Sequence, residues 1–231
     1  MDVPQNKIIG LEVLVRWQNP DKGFVLPGAF LSLAEETGMV VEIDKLVMEK
    51  AMSQVNRWSK EGIMPERVAL NITTKQLEYE GFAGELEGMM KIYGVEPARL
   101  VLEISESHMM KNIEYTMEKI KALNLLGVHI SIDDFGTGCS SLSFLKRFSI
   151  HQLKIDQTFV SDLPEKKEGI EIVKAMIALA GNLHIDVIAE GVETQEQKEF
   201  LLALGCEKMQ GNYFSEPLSV QEAEALLRKH L

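Results

Sequence analysis

The chain has 231 residues, and 24 Lys and Arg against 35 Asp and Glu leave a formal charge of −11 at pH 7, which argues against a nucleic-acid binder that covers phosphates with a basic surface. A hydrophobic share of 45 % suffices for a real core and excludes disorder as the main description. No run approaches the roughly 18 apolar residues of a membrane helix, Met1 to Lys7 carry no signal-peptide pattern, and Cys139 and Cys206 lie far apart without a CxxC pair, so the expectation is a soluble, unexported chain with neither a zinc site nor a disulfide framework.

Along the chain, short runs rich in Val, Ile and Leu alternate with longer segments of helical period. The runs Ile8–Trp17, Val68–Ile72, Leu100–Ile104, Val128–Ile132, Gln152–Ile155 and Val187–Ala189, with a weaker one at Lys208–Tyr213, read as strands. Helices are expected at about 44–61, 75–93, 112–126, 167–183, 195–204 and 219–230; in the fourth, Ile170, Val173, Ile177 and Ala180 recur at three- and four-residue spacing. Thr194 with Gln197 and Ser219 with Glu222 have capping-box spacing, and Gly127 and Gly205 stop the helices before them. Strand and helix alternate over 1–231 without a linker, which predicts one α/β domain with a parallel sheet. Its size fits a TIM-like (β/α)8 barrel better than a three-layer open sheet, although only about seven strands are clear.

The residues that end these runs carry the chemistry. Val68-Ala69-Leu70 gives way to Asn71, Leu100-Val101-Leu102 to Glu103, His129-Ile130-Ser131-Ile132 to Asp133-Asp134, and Val187-Ile188-Ala189 to Glu190, while the run at Leu153 carries Lys154 and ends in Asp156. Any one of these alone reads as a solvated loop start or a helix cap. Parallel barrel strands point one way, however, so their C-terminal ends share a rim and these side chains converge. Carboxylates gathered on one rim repel and need protons, a cationic partner or metal ions, and an oxygen-rich set suits Mg²⁺ or Mn²⁺ better than zinc. Two such ions about 3.5–4 Å apart would convert an acidic mouth into a clamp for a phosphodiester, with Lys154 holding the attacking water or offsetting charge.

Ordered motifs then carry a resemblance. Glu12-Val13-Leu14 with Arg16 is followed by Pro27 with Phe30, Ala34-Glu35, Asn71-Ile72-Thr73, Glu103-Ile104-Ser105-Glu106 and Asp133-Asp134-Phe135-Gly136-Thr137-Gly138. Lys154-Ile155-Asp156, Ala189-Glu190-Gly191-Val192-Glu193-Thr194 and Gln210-Gly211 complete the series. From about residue 2 to residue 218 the chain resembles the EAL-domain phosphodiesterases, bacterial enzymes that linearise cyclic di-GMP to pGpG.

The resemblance implies that Glu12, Asn71, Glu103 and Asp133 hold one metal ion. Asp133 would bridge to a second, held by Asp134 and, through water, Glu190. It also implies that Lys154 contacts the attacking water, that Glu193 and Gln210 place waters or substrate, and that Leu14, Arg16 and Asp156 touch substrate, Arg16 at phosphate and Asp156 at a guanine edge. Glu106 would anchor the glycine-rich loop after Asp134 and couple it to a homodimer, with Gly136 and Gly138 permitting its tight turn. A cytoplasmic location follows, with a sensory or cyclase domain upstream and attachment of the longer protein to a membrane as an option, this segment itself touching neither membrane nor nucleic-acid polymer.

Val13, Ser105, Cys139 and Asn212 depart from the family pattern; Val13 and Ser105 are mild changes, and nothing explains Asn212. The larger departure is that family members carry a preceding strand like Tyr-Gln-Pro-Ile-x-Asp, on whose last residues Met1-Asp2 falls. The expectation is therefore a barrel with its first strand truncated and its substrate-facing glutamine missing, the chain beginning at an internal methionine. Two other readings stand beside hydrolysis: a degenerate barrel that binds cyclic di-GMP or dimerises as a regulator, and an aldolase-like barrel with Lys154 as Schiff-base nucleophile. The histidines, methionines, Trp17 and Trp58 read as structural, and neither cysteine has a thiolate-activating neighbour.

Overall fold

All but the last residue of the strand Leu100–Ser105 are buried, as expected of a parallel strand covered on both faces. It pairs in parallel with Arg67–Asn71 on one side and His129–Phe135 on the other. In chain order the strands are β1 (Gly10–Val13), β2 (Trp17–Asn19), β3 (Gly23–Val25), β4 (Arg67–Asn71), β5 (Leu100–Ser105), β6 (His129–Phe135), β7 (Gln152–Ile155), β8 (Asp186–Ala189) and β9 (Lys208–Met209). Seven of them form one parallel sheet in the order β1-β4-β5-β6-β7-β8-β9, and β2 with β3 makes a separate antiparallel hairpin. The computed structural model describes residues 1–138 and 145–230; Cys139, and with it any pairing to the buried Cys206 thiol, lies outside them.

The helices are α1 (Leu31–Thr37), α2 (Val40–Glu61), α3 (Thr74–Glu78), α4 (Phe82–Tyr93), α5 (Glu106–Lys111), α6 (Ile113–Leu125), α7 (Gln157–Val160), α8 (Lys167–Leu183), α9 (Gln195–Ala203) and α10 (Val220–Lys229). They lie in the crossovers between parallel strands and cover the sheet. Along α2 the buried Met48, Ala51, Met52, Val55 and Trp58 follow the three- and four-residue spacing of one helical face. Across the last turns of α2 lies α10: Gln54 and Trp58 both donate to Glu224, at 2.9 and 3.2 Å, and Arg57 pairs with the same carboxylate at 2.9 Å. Gln210, just past β9, donates from Nε2 to Glu12 Oε2 of β1 at 2.7 Å, so the last and first strands of the row face each other and the sheet is curled. This is the expected TIM-like α/β class, with seven parallel strands where a full barrel has eight.

The structure differs from the sequence expectation in several details, the expected strand Lys208–Tyr213 shortening to β9 among them. The run Ile8–Trp17 yields only the short β1, because Trp17 belongs to the β2–β3 hairpin. The stretch 75–93 breaks between α3 and α4, and Thr73 starts α3 with a capping box to Gln76 of the same spacing as the two foreseen at Thr194 and Ser219. In α8 the fully buried residues are Gly169, Val173, Met176 and Ala180, a face rotated slightly from the one expected. Of the two loop glycines, Gly136 has φ +103° but Gly138 does not lie in the left-handed region. Gly127 and Gly205 stop α6 and α9 as expected, with φ of +89° and +86°. Among the described residues no helix is long and apolar enough to cross a membrane.

Candidate functional site

Alternation along parallel strands places the inward side chains of neighbouring strands side by side. Glu12 ends its outlook from β1, Asn71 from β4, Glu103 from β5, Asp133 from β6 and Lys154 from β7, while Glu190 and Gln210 leave the ends of β8 and β9. Their centre is Lys154. Its Nζ lies 2.6 Å from Glu190 Oε1, 2.9 Å from Glu103 Oε2, 3.2 Å from Glu12 Oε2 and 3.3 Å from Asp133 Oδ1, and its side chain is 1 % exposed. Asn71 Nδ2 donates to Glu12 Oε1 at 2.8 Å while Gln210 holds the other oxygen, so Glu12 is fixed from both sides.

The electrostatics follow from crowding in a poorly solvated mouth. Burial alone would strip the Lys154 proton, but Glu103, Glu190, Glu12 and Asp133 outweigh it and hold the ammonium charged far above its ordinary range. Burial pushes Glu103 well above the usual carboxylate range against the pull of Lys154, with Glu12 and Asp133 adding to the rise. Burial likewise drives Glu190 up to about 8, again opposed by Lys154 and reinforced by Asp133. For Glu12 the burial penalty is overcome by Lys154 and by the hydrogen bonds from Gln210 and Asn71, so its carboxyl stays below the usual range. Asp134 is raised by burial and then by Asp133 and Asp156. One ammonium thus faces four carboxylates, with two more close by, and the crowding that raises Glu103 and Glu190 is relieved by protons or by further cations.

Asp133, Asp134 and Glu190 each offer an oxygen within 4.8 Å of the others, a spacing a single metal ion can bridge. That arrangement rests on a distortion of β6: the register with β7 shifts between Ile132 and Phe135, and Asp134 has φ +54°. The segment beyond is held by Glu106 at the start of α5. Its Oε2 accepts from the Gly136 N–H at 2.8 Å and the Gly138 N–H at 3.1 Å. A Cβ on Gly138 would sit 3.0 Å from that carboxylate, so close approach explains the second glycine where backbone conformation does not.

Other expected site residues stand further off. Asp156 caps α7 through the Thr158 N–H at 2.9 Å and lies beside Asp134. Arg16 is half-buried, donates to the Val15 carbonyl at 2.8 Å and forms no ion pair among the described residues. Leu14 is 42 % exposed, and Glu193 is exposed with its N–H donating to Gln197 Oε1 at 2.8 Å. Among the described residues Leu14, Arg16 and Glu193 make no hydrogen bond to the cluster. Two supporting contacts went unread in the sequence. Asp44 on α2 accepts from the Thr73 hydroxyl at 2.7 Å behind Asn71, and Gln152 donates to Ser131 at 3.1 Å beneath Lys154. No local spacing announces the first, which joins residues 29 apart; strand alternation from Lys154 back to Gln152 was a sign of the second.

The EAL domain family matches residues 1–217. The chain is 38 % identical over 219 residues, 95 % of its length, to the bifunctional diguanylate cyclase/cyclic di-GMP phosphodiesterase MucR of Pseudomonas aeruginosa, of which it covers 32 %. It is 39 % identical over 220 residues, again 95 % of its length, to the cyclic di-GMP phosphodiesterase NbdA of the same organism, covering 28 % of it. The chain therefore spans about a third of these curated relatives. A solved structure of the PaMucR phosphodiesterase in complex with c-di-GMP superposes with a TM-score of 0.92 at 38 % identity, over 96 % of this chain and 90 % of that one. The chain belongs to the EAL domain family.

Proposed function

We propose that this chain hydrolyses one phosphodiester bond of cyclic di-GMP to give linear pGpG, with two divalent cations, Mg²⁺ or Mn²⁺, and so serves bacterial second-messenger signalling. The observation that carries the reading is the buried Lys154 ammonium ringed by four carboxylates at the mouth of a parallel barrel. The donor set fits hard cations: it is rich in carboxylate and amide oxygen, and Asp133, Asp134 and Glu190 bring oxygens within reach of one ion. Glu12, Asn71, Glu103 and Asp133 would hold one ion, and Asp133, Asp134 and Glu190 the other. When bound, such ions polarise the phosphate and lower the pKa of water.

The chain's own groups do the rest. Arg16, whose guanidinium forms no ion pair among the described residues, steadies a non-bridging phosphate oxygen. Lys154 keeps its proton and orients the incoming water by donating to it, while Gln210 and Asn71 hold Glu12 in one rotamer. Leu14, Asp156 and Glu193 line the path of the dinucleotide. Water adds across one ester: its oxygen bonds to phosphorus, the bond to the 3′ oxygen breaks, and one proton ends on that oxygen. The same reading has the domain, residues 1–231, acting as a homodimer in the cytoplasm beside a sensory or cyclase domain.

Chromatography of cyclic di-GMP incubated with the chain tests this. Product pGpG is expected with Mg²⁺ or Mn²⁺, none after EDTA, and recovery on adding metal back; turnover that ignores chelation would overturn the proposal. A second reading, a module that binds cyclic di-GMP or dimerises without cleaving, is favoured by one observation: among the described residues no backbone pairing joins β1 to β9, and the Gln210 side chain just past β9 reaches Glu12 of β1. Calorimetric binding without product would select it. The Schiff-base alternative is disfavoured because the amine is held charged, and failure of borohydride to trap a carbonyl on Lys154 is the expected result.

A further inference from the structure

We infer that Asn212 reads one base of the substrate, and that its carboxamide lets the site take a hybrid cyclic dinucleotide of guanine and adenine beside cyclic di-GMP. The inference rests on the phosphodiesterase reading and widens its substrate class. It starts from the way the segment after β9 is held. Gln210 N–H donates to Ala189 O at 2.8 Å, Val192 N–H to Gln210 O at 3.1 Å and Tyr213 N–H to Val192 O at 2.9 Å. Between these bonds Gly211 comes so near that a Cβ on it would sit 2.3 Å from both the nitrogen and the oxygen of Val192. The backbone on either side of Asn212 is thereby fixed, just beyond the Gln210 side chain that holds Glu12. Asn212 itself is exposed, and among the described residues its carboxamide makes no hydrogen bond. With Leu14 and Arg16 it borders a cavity of about 1080 Å³.

Those three side chains offer what a nucleotide needs at one end of a cleft. Arg16 takes phosphate, Leu14, 42 % exposed, gives an apolar surface to the flat face of a purine, and the amide of Asn212 supplies a donor and an acceptor to its edge. Guanine presents O6 as acceptor beside the N1–H donor; adenine presents its N6 amino donor beside N1 as acceptor. A carboxamide turned end over end exchanges its oxygen and nitrogen, so Asn212 matches either pattern. Asp156 has no such freedom. It follows β7 whereas Asn212 follows β9, with β8 between them, so the two meet different bases of one dinucleotide. A carboxylate only accepts, which suits the N1–H and N2 amino group of guanine and repels the bare N1 of adenine. One end of the cleft therefore demands guanine, and the other takes either purine.

The test compares kcat/KM with Mg²⁺ for cyclic di-GMP, the 3′,3′-linked cyclic GMP–AMP hybrid and cyclic di-AMP, in the full chain and in Asn212→Asp. The full chain is expected to cleave the hybrid within about fivefold of cyclic di-GMP and cyclic di-AMP at least about tenfold less well than the hybrid. Asn212→Asp turns the tolerant end into an acceptor only, and is expected to lower the ratio of hybrid to cyclic di-GMP by about tenfold or more. A purely structural role for Asn212 would not move that ratio. A hybrid refused as strongly as cyclic di-AMP, or an unchanged ratio in Asn212→Asp, would overturn the inference and leave hydrolysis of cyclic di-GMP standing. No turnover of any of the three would overturn it together with the phosphodiesterase reading.

Discussion

Lys154 settles the balance of the site. Removing its charge leaves Glu12, Glu103, Asp133 and Glu190 facing one another, and an uncompensated buried charge costs about 3–5 kcal/mol. Lys154→Met keeps the stem and deletes the ammonium, so it is expected to lower turnover by about 10²-fold or more and to make thermal stability depend more steeply on Mg²⁺ than in the unaltered chain; near-normal hydrolysis would contradict the assigned role. A second residue-scale prediction concerns His129, at the opposite end of β6. Burial, then Arg67 and His151, bring its pKa down to about 4, and its buried Nδ1 has no hydrogen-bond partner among the described residues. Protons therefore bind the unfolded chain first as the pH falls, so stability is full above about 6.5 and is lost between 6.5 and 4. His129→Phe is expected to flatten melting temperature against pH over that window, leaving the part due to His151; an unchanged slope would refute it. At this scale the sequence was most readable. A polar residue closing or carried near the end of each apolar run marked Asn71, Glu103, Asp133, Lys154 and Glu190, because strands that all point one way bring their ends together. For Asp156 the sequence offered both a helix cap and a substrate contact, and the structure shows the cap, through the Thr158 N–H.

Single elements account for how the cluster is held. Glu106 grips the turn after Asp134 through two backbone N–H groups, and hydrogen bonds to a charged acceptor contribute about 1.5–3 kcal/mol each. Glu106→Gln keeps shape and loses charge. It is expected to cut kcat about tenfold while Mn²⁺ affinity stays within twofold; unchanged kcat would show that the grip does not matter. The α10 latch has a simpler outcome: Glu224→Ala removes the acceptor shared by Gln54, Arg57 and Trp58, and urea unfolding is expected to show a loss of about 1–3 kcal/mol with activity retained. Helices with a strong apolar stripe, α2 and α8, were legible in the sequence. Elements with little buried surface were not: the β2–β3 hairpin and α1 bury almost nothing, so their sequences show no clear period. The break between α3 and α4 was hidden for another reason, because Tyr79 and Gly81 sit inside a stretch whose apolar spacing continues on either side.

For the molecule as a whole, strand order made the site. Seven parallel strands follow chain order with helices between them, which gathers residues from Glu12 to Gln210 at one mouth. Alternation of strands and helices was enough to predict this class. The central claim is that this mouth holds divalent cations, and a direct measurement is titration of the full chain with Mn²⁺ followed by electron paramagnetic resonance of the free ion. The account predicts saturable uptake of two ions, competition by Mg²⁺, and loss of most uptake in Asp133→Asn, the residue placed between both ions. Uptake that is absent, or equal in the Asp133→Asn chain, would contradict it.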